Sequence, residues 1–188
     1  MVKDFLQFYD NNLKESVIPF WLKNSPDQKY GGIFTCLERN GSVYDTKTYT
    51  WHQPRAVWMY SRLYRQYDEN PDFLNIANQC LDFIEKNAAD NTGRHYFCVR
   101  QNGKPYCYQP EVYSPVFCML AFLEYYKLTQ KKQYYQKAEM LYSNIKKWID
   151  NPDLLNPDII QDSPKLSLLG DVMVLADKAL QMSEVAPD

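Results

Sequence analysis

A chain of 188 residues is enough for one domain over residues 1–188, burying about two thirds of its unfolded surface. With 23% charged residues and a net charge of −2, it lacks the basic footprint that nucleic acid or an anionic membrane requires. Six glycines against 15% aromatic residues favour helices packed through large side chains, and no apolar run reaches the length of a bilayer span. Residues Met1 to Gln7 carry charge and an amide where a secretory leader needs an apolar core, so none is expected. The five cysteines, Cys36, Cys80, Cys98, Cys107 and Cys118, are an odd count without a Cys-x-x-Cys pair, which points to reduced thiols and the cytoplasm.

Residues 2–23 read as a first helix, with Phe5, Leu6, Tyr9, Leu13, Val17 and Phe20-Trp21 at helical intervals, broken by Asn24-Ser-Pro-Asp. Residues 30–44 hold Asn40-Gly41 between two β-prone runs, a strong hairpin signal. A second helix opens at Gln53-Pro54, where proline is tolerated because its missing N–H would have been an orphan. Further helices read over about 72–88, 115–129, 132–149 and 166–182, with a second hairpin over 93–106 and a proline-rich loop over 151–164.

The helix after Gln53-Pro54 carries Val57, Trp58, Tyr60, Leu63 and Tyr64 as an apolar stripe, and Arg55 is out of place on it. A cation in the first turn opposes the helix dipole at a cost of about 0.3–1 kcal/mol. A residue that breaks a local rule tends to serve a site, and an Arg beside free backbone N–H groups makes a cradle for an oxyanion. The structural alternative is an Arg in solvent or paired with Asp45.

The pattern repeats. Gly93 − Gly31, Cys98 − Cys36, Gly103 − Gly41 and Tyr106 − Tyr44 all equal 62, and Ser114-Pro115 opens a helix much as Gln53-Pro54 does. A unit of helix, helix and hairpin cannot cover its own apolar face and wants neighbours. The expected fold is therefore all-α: a partial toroid of about three helical-hairpin units, with short β-hairpins and inner-helix N-termini rimming a cavity. A half-toroid leaves helix flanks uncovered, so a homodimer covering the open side is expected.

These residues resemble the N-acylglucosamine 2-epimerase family, whose vertebrate members are also called renin-binding proteins. The likeness is carried by Phe20-Trp21, Gly31-Gly32-Ile-Phe-Thr-Cys-Leu, Asn40-Gly41 and the run from Lys47 to Tyr64, with its Trp51-x-Gln53-x-Arg55-x-x-Trp58-Met59 string. It continues through Gly103-Lys-Pro-Tyr106, Tyr113-Ser114, Ala121 to Tyr126, Tyr134, Ala138, Ile145 and Trp148, covering roughly residues 5–150. It implies the N-terminal half of an (α/α)6 barrel that interconverts N-acetylglucosamine and N-acetylmannosamine by proton transfer beside a sugar carbonyl. Such chemistry needs a base near each face of the enediolate and a cation or donors at its oxygen. The resemblance implies that Arg55 meets the sugar oxygens. It also departs from the family. The two catalytic histidines belong to the second half of that barrel, and neither His52 nor His95 occupies those positions. Pro115 stands where an acidic residue often follows the serine matched by Ser114.

Around a catalytic Arg55, the candidate substrate-binding residues are Tyr44, Trp51 and Trp58 as stacking platforms, Gln53 as a hydroxyl partner or helix cap, His52 one turn before Arg55, and Glu111 ahead of the Ser114 helix. His95 reads as a hairpin residue. No metal-ligand cluster and no phosphate-binding glycine loop is visible, so no cofactor is expected and the partner is a small-molecule sugar. Two alternatives stay open. One is a non-catalytic sugar-binding or protein-interaction module; the other is a glycoside hydrolase on a similar toroid, with Asp45 and Glu111 as its carboxylates.

Overall fold

The computed structural model describes residues 2–108, 111–155 and 169–186. Its first helical run is α1 (Val2–Asn12), a π-helical segment (Leu13–Val17) and α2 (Ile18–Asn24). One straight helix was expected over 2–23. Pro19 explains the wide turn: it has no N–H for the carbonyl four residues back, and its ring crowds that carbonyl. The Ile18 N–H donates to Leu13 instead, across the widened turn.

Both expected hairpins form. In the first, β1 (Cys36–Leu37) pairs antiparallel with β2 (Val43–Asp45). In the second, β4 (Tyr96–Val99) pairs with β5 (Pro105–Tyr108), and β3 (Thr48–Tyr49) adds a strand the sequence reading did not include, in the order β3-β4-β5. The two turns are built alike. Gly41 donates to the Glu38 carbonyl at 2.9 Å and Gly103 to the Arg100 carbonyl at 2.8 Å, with φ of 89° and 79°. Neither Asn40 nor Asn102 has a positive φ, so these are three-residue loops ending in a left-handed glycine rather than two-residue primed turns. A Cβ on Gly41 would strike the Asn24 amide, and one on Gly103 the Asn87 amide. Those asparagines bond back to the Phe20 and Phe83 carbonyls at 2.8 and 3.0 Å. Each helix end thus seats the turn that follows it.

The remaining helices are α3 (His52–Gln66), α4 (Pro71–Asn87), α5 (Tyr113–Thr129), α6 (Lys132–Asp150) and α7 (Leu169–Ser183). The Asn70 side chain caps α4 by accepting from the Asp72 N–H, with Pro71 at the first position. Helices α3, α5 and α7 form one row, with α4 packed on α3 and α6 packed on α5 and α7. Between the rows lies one hydrophobic core, including Val57, Ala77, Cys80, Val116, Met119, Leu123 and Ile145. Helix α5 is apolar on every side and nearly all buried, as suits the middle of the inner row. Pro152–Leu154 forms a short 3-10 turn, while residues 156–168, covering most of the expected loop and the start of the last helix, lie outside the described residues.

Both flanks of this half-ring are apolar and open. On α1, Phe5, Leu6, Phe8 and Tyr9 are 58–66% exposed; on α7, Leu169, Met173 and Leu180 are 61–74% exposed. Among the described residues, no helix is long and apolar enough to cross a membrane.

Candidate active site

The N-termini of the inner helices meet at one end, against the β3-β4-β5 sheet. The Thr50 hydroxyl, just before α3, is bonded to the Tyr96 carbonyl of β4 and, at 3.0 Å, to the Ser114 hydroxyl in the first turn of α5. The Asp171 carboxylate of α7 lies by the Val112 N–H that precedes α5, which favours its charge. Loops, hairpins and unpaired helix N–H groups therefore share one rim, as the repeat implied.

Helix α3 starts at His52, two residues before the proline expected to open it, so Pro54 stands third rather than first. It is tolerated because every N–H of the first turn is an orphan. No acidic residue balances the dipole in that turn. Arg55 projects from it into a cleft of about 390 Å³, lined also by His52, Trp58, Met59, Thr35 and Trp21. The Arg55 guanidinium carbon lies 5.8 Å from the Trp51 ring centre and 5.3 Å from the Phe117 ring centre. Two aromatic faces thus hold a cation that pairs with no carboxylate among the described residues. Asp45, the alternative partner, is taken by Lys47 at 2.6 Å.

His52 borders the same cleft with its ring 4.7 Å from Trp51 and 6.1 Å from Tyr49. Burial, then the Arg55 charge, holds its pKa below the ordinary 6.5, so it is neutral at pH 7. The Trp51 indole N–H is buried without a partner among the described residues. Trp58 lines the cleft too, with Arg62 5.4 Å over its outer face.

Two of the sequence-derived candidates stand elsewhere. Gln53 is fully buried and its amide is spent twice on Ile33, donating to the carbonyl at 2.7 Å and accepting from the N–H at 2.9 Å. Its amide thus faces the Ile33 backbone, it is not among the cleft residues, and it does not cap α3, whose N-cap is Trp51. Tyr44 is 66% exposed on β2 and is not among the cleft residues. Glu111 does lie at the rim. Its Oε2 and the Asp171 Oδ1 are both buried without hydrogen-bond partners, and burial followed by the Glu111 charge raises the Asp171 pKa. Asp45 pairs within its own hairpin, whereas Glu111 neighbours α7. The structure thus gives the two no shared task of the kind a glycoside hydrolase needs.

Phe117 was missed because it is one aromatic in a helix that is apolar all round. Only the placement of α5 beside α3 brings its ring to Arg55.

Against known proteins, the sequence profile of the N-acylglucosamine 2-epimerase (GlcNAc 2-epimerase) family matches residues 32–158. This chain belongs to the N-acylglucosamine 2-epimerase family. Within that family it is 33% identical over 175 residues to N-acylglucosamine 2-epimerase of Bos taurus, covering 90% of this chain and 42% of that protein. To the Rattus norvegicus enzyme it is 37% identical over 139 residues, covering 72% and 33%. The chain therefore spans about two fifths or less of the length of these N-acylglucosamine 2-epimerases. Its fold matches cellobiose 2-epimerase of Bacillus thermoamylovorans with a TM-score of 0.81 at 22% identity, over 99% of this chain and 52% of that one. A sugar epimerase from a ruminal bacterium matches with a TM-score of 0.68 at 25% identity, over 76% and 37%. The architecture is a partial (α/α)6 barrel of the 2-epimerase type, and Arg55, Trp51 and Trp58 all fall inside the stretch matched by the family profile.

Proposed function

We propose that this chain provides the oxygen-binding half of a sugar 2-epimerase site, acting on an N-acylglucosamine or N-acylmannosamine at carbon 2. The observation that carries the reading is Arg55: a guanidinium without a carboxylate partner among the described residues, held against Trp51 and Phe117, at the mouth of a cleft that His52 and Trp58 share. In the opened sugar, loss of the carbon 2 proton leaves an enediolate whose oxygen carries the charge. Arg55 meets that oxygen in a site where such a contact is worth about 10²–10³-fold. Return of the proton to the opposite face gives the epimer. Trp51 supplies an apolar face and a free indole N–H, Trp58 a wall, and neutral His52 an acceptor for a hydroxyl or a proton. Glu111 stands further along the rim, where a sugar hydroxyl lying over α5 would meet it.

Only two histidines exist in the 188 residues, and neither matches the bases the family uses. The reading is thus of an incomplete site, which binds sugar by itself and turns it over only when further barrel helices are supplied. A second reading, a sugar-binding module, is favoured by the same scarcity of bases. In either case we place the protein in cytoplasmic amino-sugar metabolism, as a homodimer whose partner covers the open α1 and α7 flanks.

Incubation with N-acetylmannosamine in deuterated water separates the two. Label at carbon 2 marks an epimerase. Binding without label, lost in Arg55→Ala, marks the binding module. Absence of sugar binding in both native protein and variant overturns the proposal, and a monomer by solution mass removes the dimer.

A further inference from the structure

The second hairpin carries two cysteines, apart from the cleft. Cys98 on β4 and Cys107 on β5 are register partners in an antiparallel pair. The register shifts on either side of Cys98, and the two cysteines remain Cα partners between the shifts; such partners lie about 4.5–5.5 Å apart. That falls inside the window of about 4.4–6.8 Å that a disulfide spans. Both thiols are free, Cys98 buried and Cys107 half-buried. Around Cys98 the other titratable groups are Tyr49, its register partner on β3, Lys47 just before that strand, Asp45 at the end of β2 and Cys36 on β1; of the charges that shift its thiol, Cys107 comes first.

We propose that Cys98 and Cys107 are an oxidisable dithiol that closes into a cross-strand disulfide when a low-molecular-weight disulfide such as oxidised glutathione is the oxidant. Cys107, the more accessible thiol, attacks first and breaks the S–S bond of glutathione, releasing one glutathione thiol. Cys98 then displaces the second. One protein S–S bond forms, one glutathione S–S bond breaks, and two protons leave the protein thiols to protonate the two glutathione thiolates.

The buried partner sets the pace. Burial lifts the Cys98 thiol to about 11, so little thiolate is present at pH 7. Ring closure then quickens roughly tenfold per pH unit between pH 7 and 10, because the thiolate fraction does.

The bridge matters because of where β4 leads. Strand β4 also pairs with β3, and the chain passes from β3 through Thr50, which bonds to the Tyr96 carbonyl, to Trp51 and the first turn of α3. Closing the bond pins the strand on which that turn rests.

The test is thiol counting and peptide mapping on the whole chain exposed to oxidised glutathione. The expected result is a fall from five titratable thiols to three, a mass loss of about 2 Da, a linked peptide pair containing Cys98 and Cys107, and full reversal by dithiothreitol. Cys107→Ser, a change at the half-buried position, should keep its remaining four thiols, while Cys36→Ser should still lose two. The proposal is overturned if all five thiols persist through pH 10. It is also overturned if Cys107 stops at the glutathione adduct, or if the bond formed joins other cysteines or two chains.

Discussion

Gln53 and Ile33 hold each other by two hydrogen bonds, 2.7 and 2.9 Å long, although twenty residues separate them. A buried side-chain amide here acts as a strand neighbour: Ile33 bridges Pro26 through the backbone groups of the residues on either side, and Gln53 satisfies both of Ile33's own. The arrangement needs Gly32, where a Cβ would sit 2.7 Å from the Gln53 Oε1 and 3.1 Å from the Phe83 ring, at a φ of 74°.

Gln53→Ala should therefore leave two buried backbone groups unpaired and cost about 2–4 kcal/mol. Gly32→Ala should cost a comparable amount through strain and collision. Urea denaturation of the two variants checks both. A loss below 0.5 kcal/mol in Gln53→Ala would show that water replaces the amide.

For Arg55 the expectation is the reverse, a large effect on ligand and a small one on stability, since the side chain is exposed and pairs with no acid among the described residues. Arg55→Ala should weaken N-acetylmannosamine binding at least tenfold, about 1.4 kcal/mol, with a melting temperature within a few degrees of native. Phe117→Leu removes one of the two rings that hold the guanidinium and should weaken binding by a smaller factor, about two- to fivefold. Calorimetric titration beside a thermal melt distinguishes a binding role from general unfolding.

His95 gives a pH signature. Burial holds its pKa at about 4, below the ordinary 6.5, against the smaller opposing pulls of the Gly93 carbonyl and Asp90. The unfolded chain takes up a proton at about pH 6.5 and the folded chain not until about pH 4, so stability falls as pH drops through that window and levels off below it. The full difference is about 3 kcal/mol, and partial access of solvent to the ring brings the expectation nearer 2. His95→Gln should flatten this part of the curve when urea midpoints are compared at pH 7 and pH 5; an unchanged slope would refute the assignment.

At the opposite ends of the inner helices, Glu124 is 3% exposed and accepts from Arg65 at 2.7 Å, with Lys127 at 4.0 Å. Arg65→Ala should cost about 3 kcal/mol, because a buried carboxylate is left with one distant cation. Replacing Arg65 and Glu124 together by Met should recover most of that loss. If the double variant is no better than the single one, the pair contributes more than its desolvation.

The parts of this molecule that repeat were legible in the sequence, because repetition can be seen without knowing contacts. The 62-residue offset located both hairpins, and helical spacing located α3 to α6 to within a few residues. What could not be read depends on through-space placement. Strand β3 is two residues long and exists only because the second hairpin lies beside it. Gln53 looked like a sugar ligand because its sequence neighbours did, and its bonds to Ile33 leave no trace in local pattern. Arg55 was visible since it breaks a rule of helix electrostatics, whereas Phe117, which steadies it, breaks none.

Helix α5 has neighbours on every side, so no part of it can loosen without opening both layers of the half-ring at once. Amide hydrogen exchange should therefore run as a gradient, slowest at Met119 to Leu123 and fastest along α1, whose apolar side chains stand in water. The protein's cheapest excursions then begin at its two outer flanks, leaving the axis of the half-ring, and the turn of α3 that leans on it, the last region to melt.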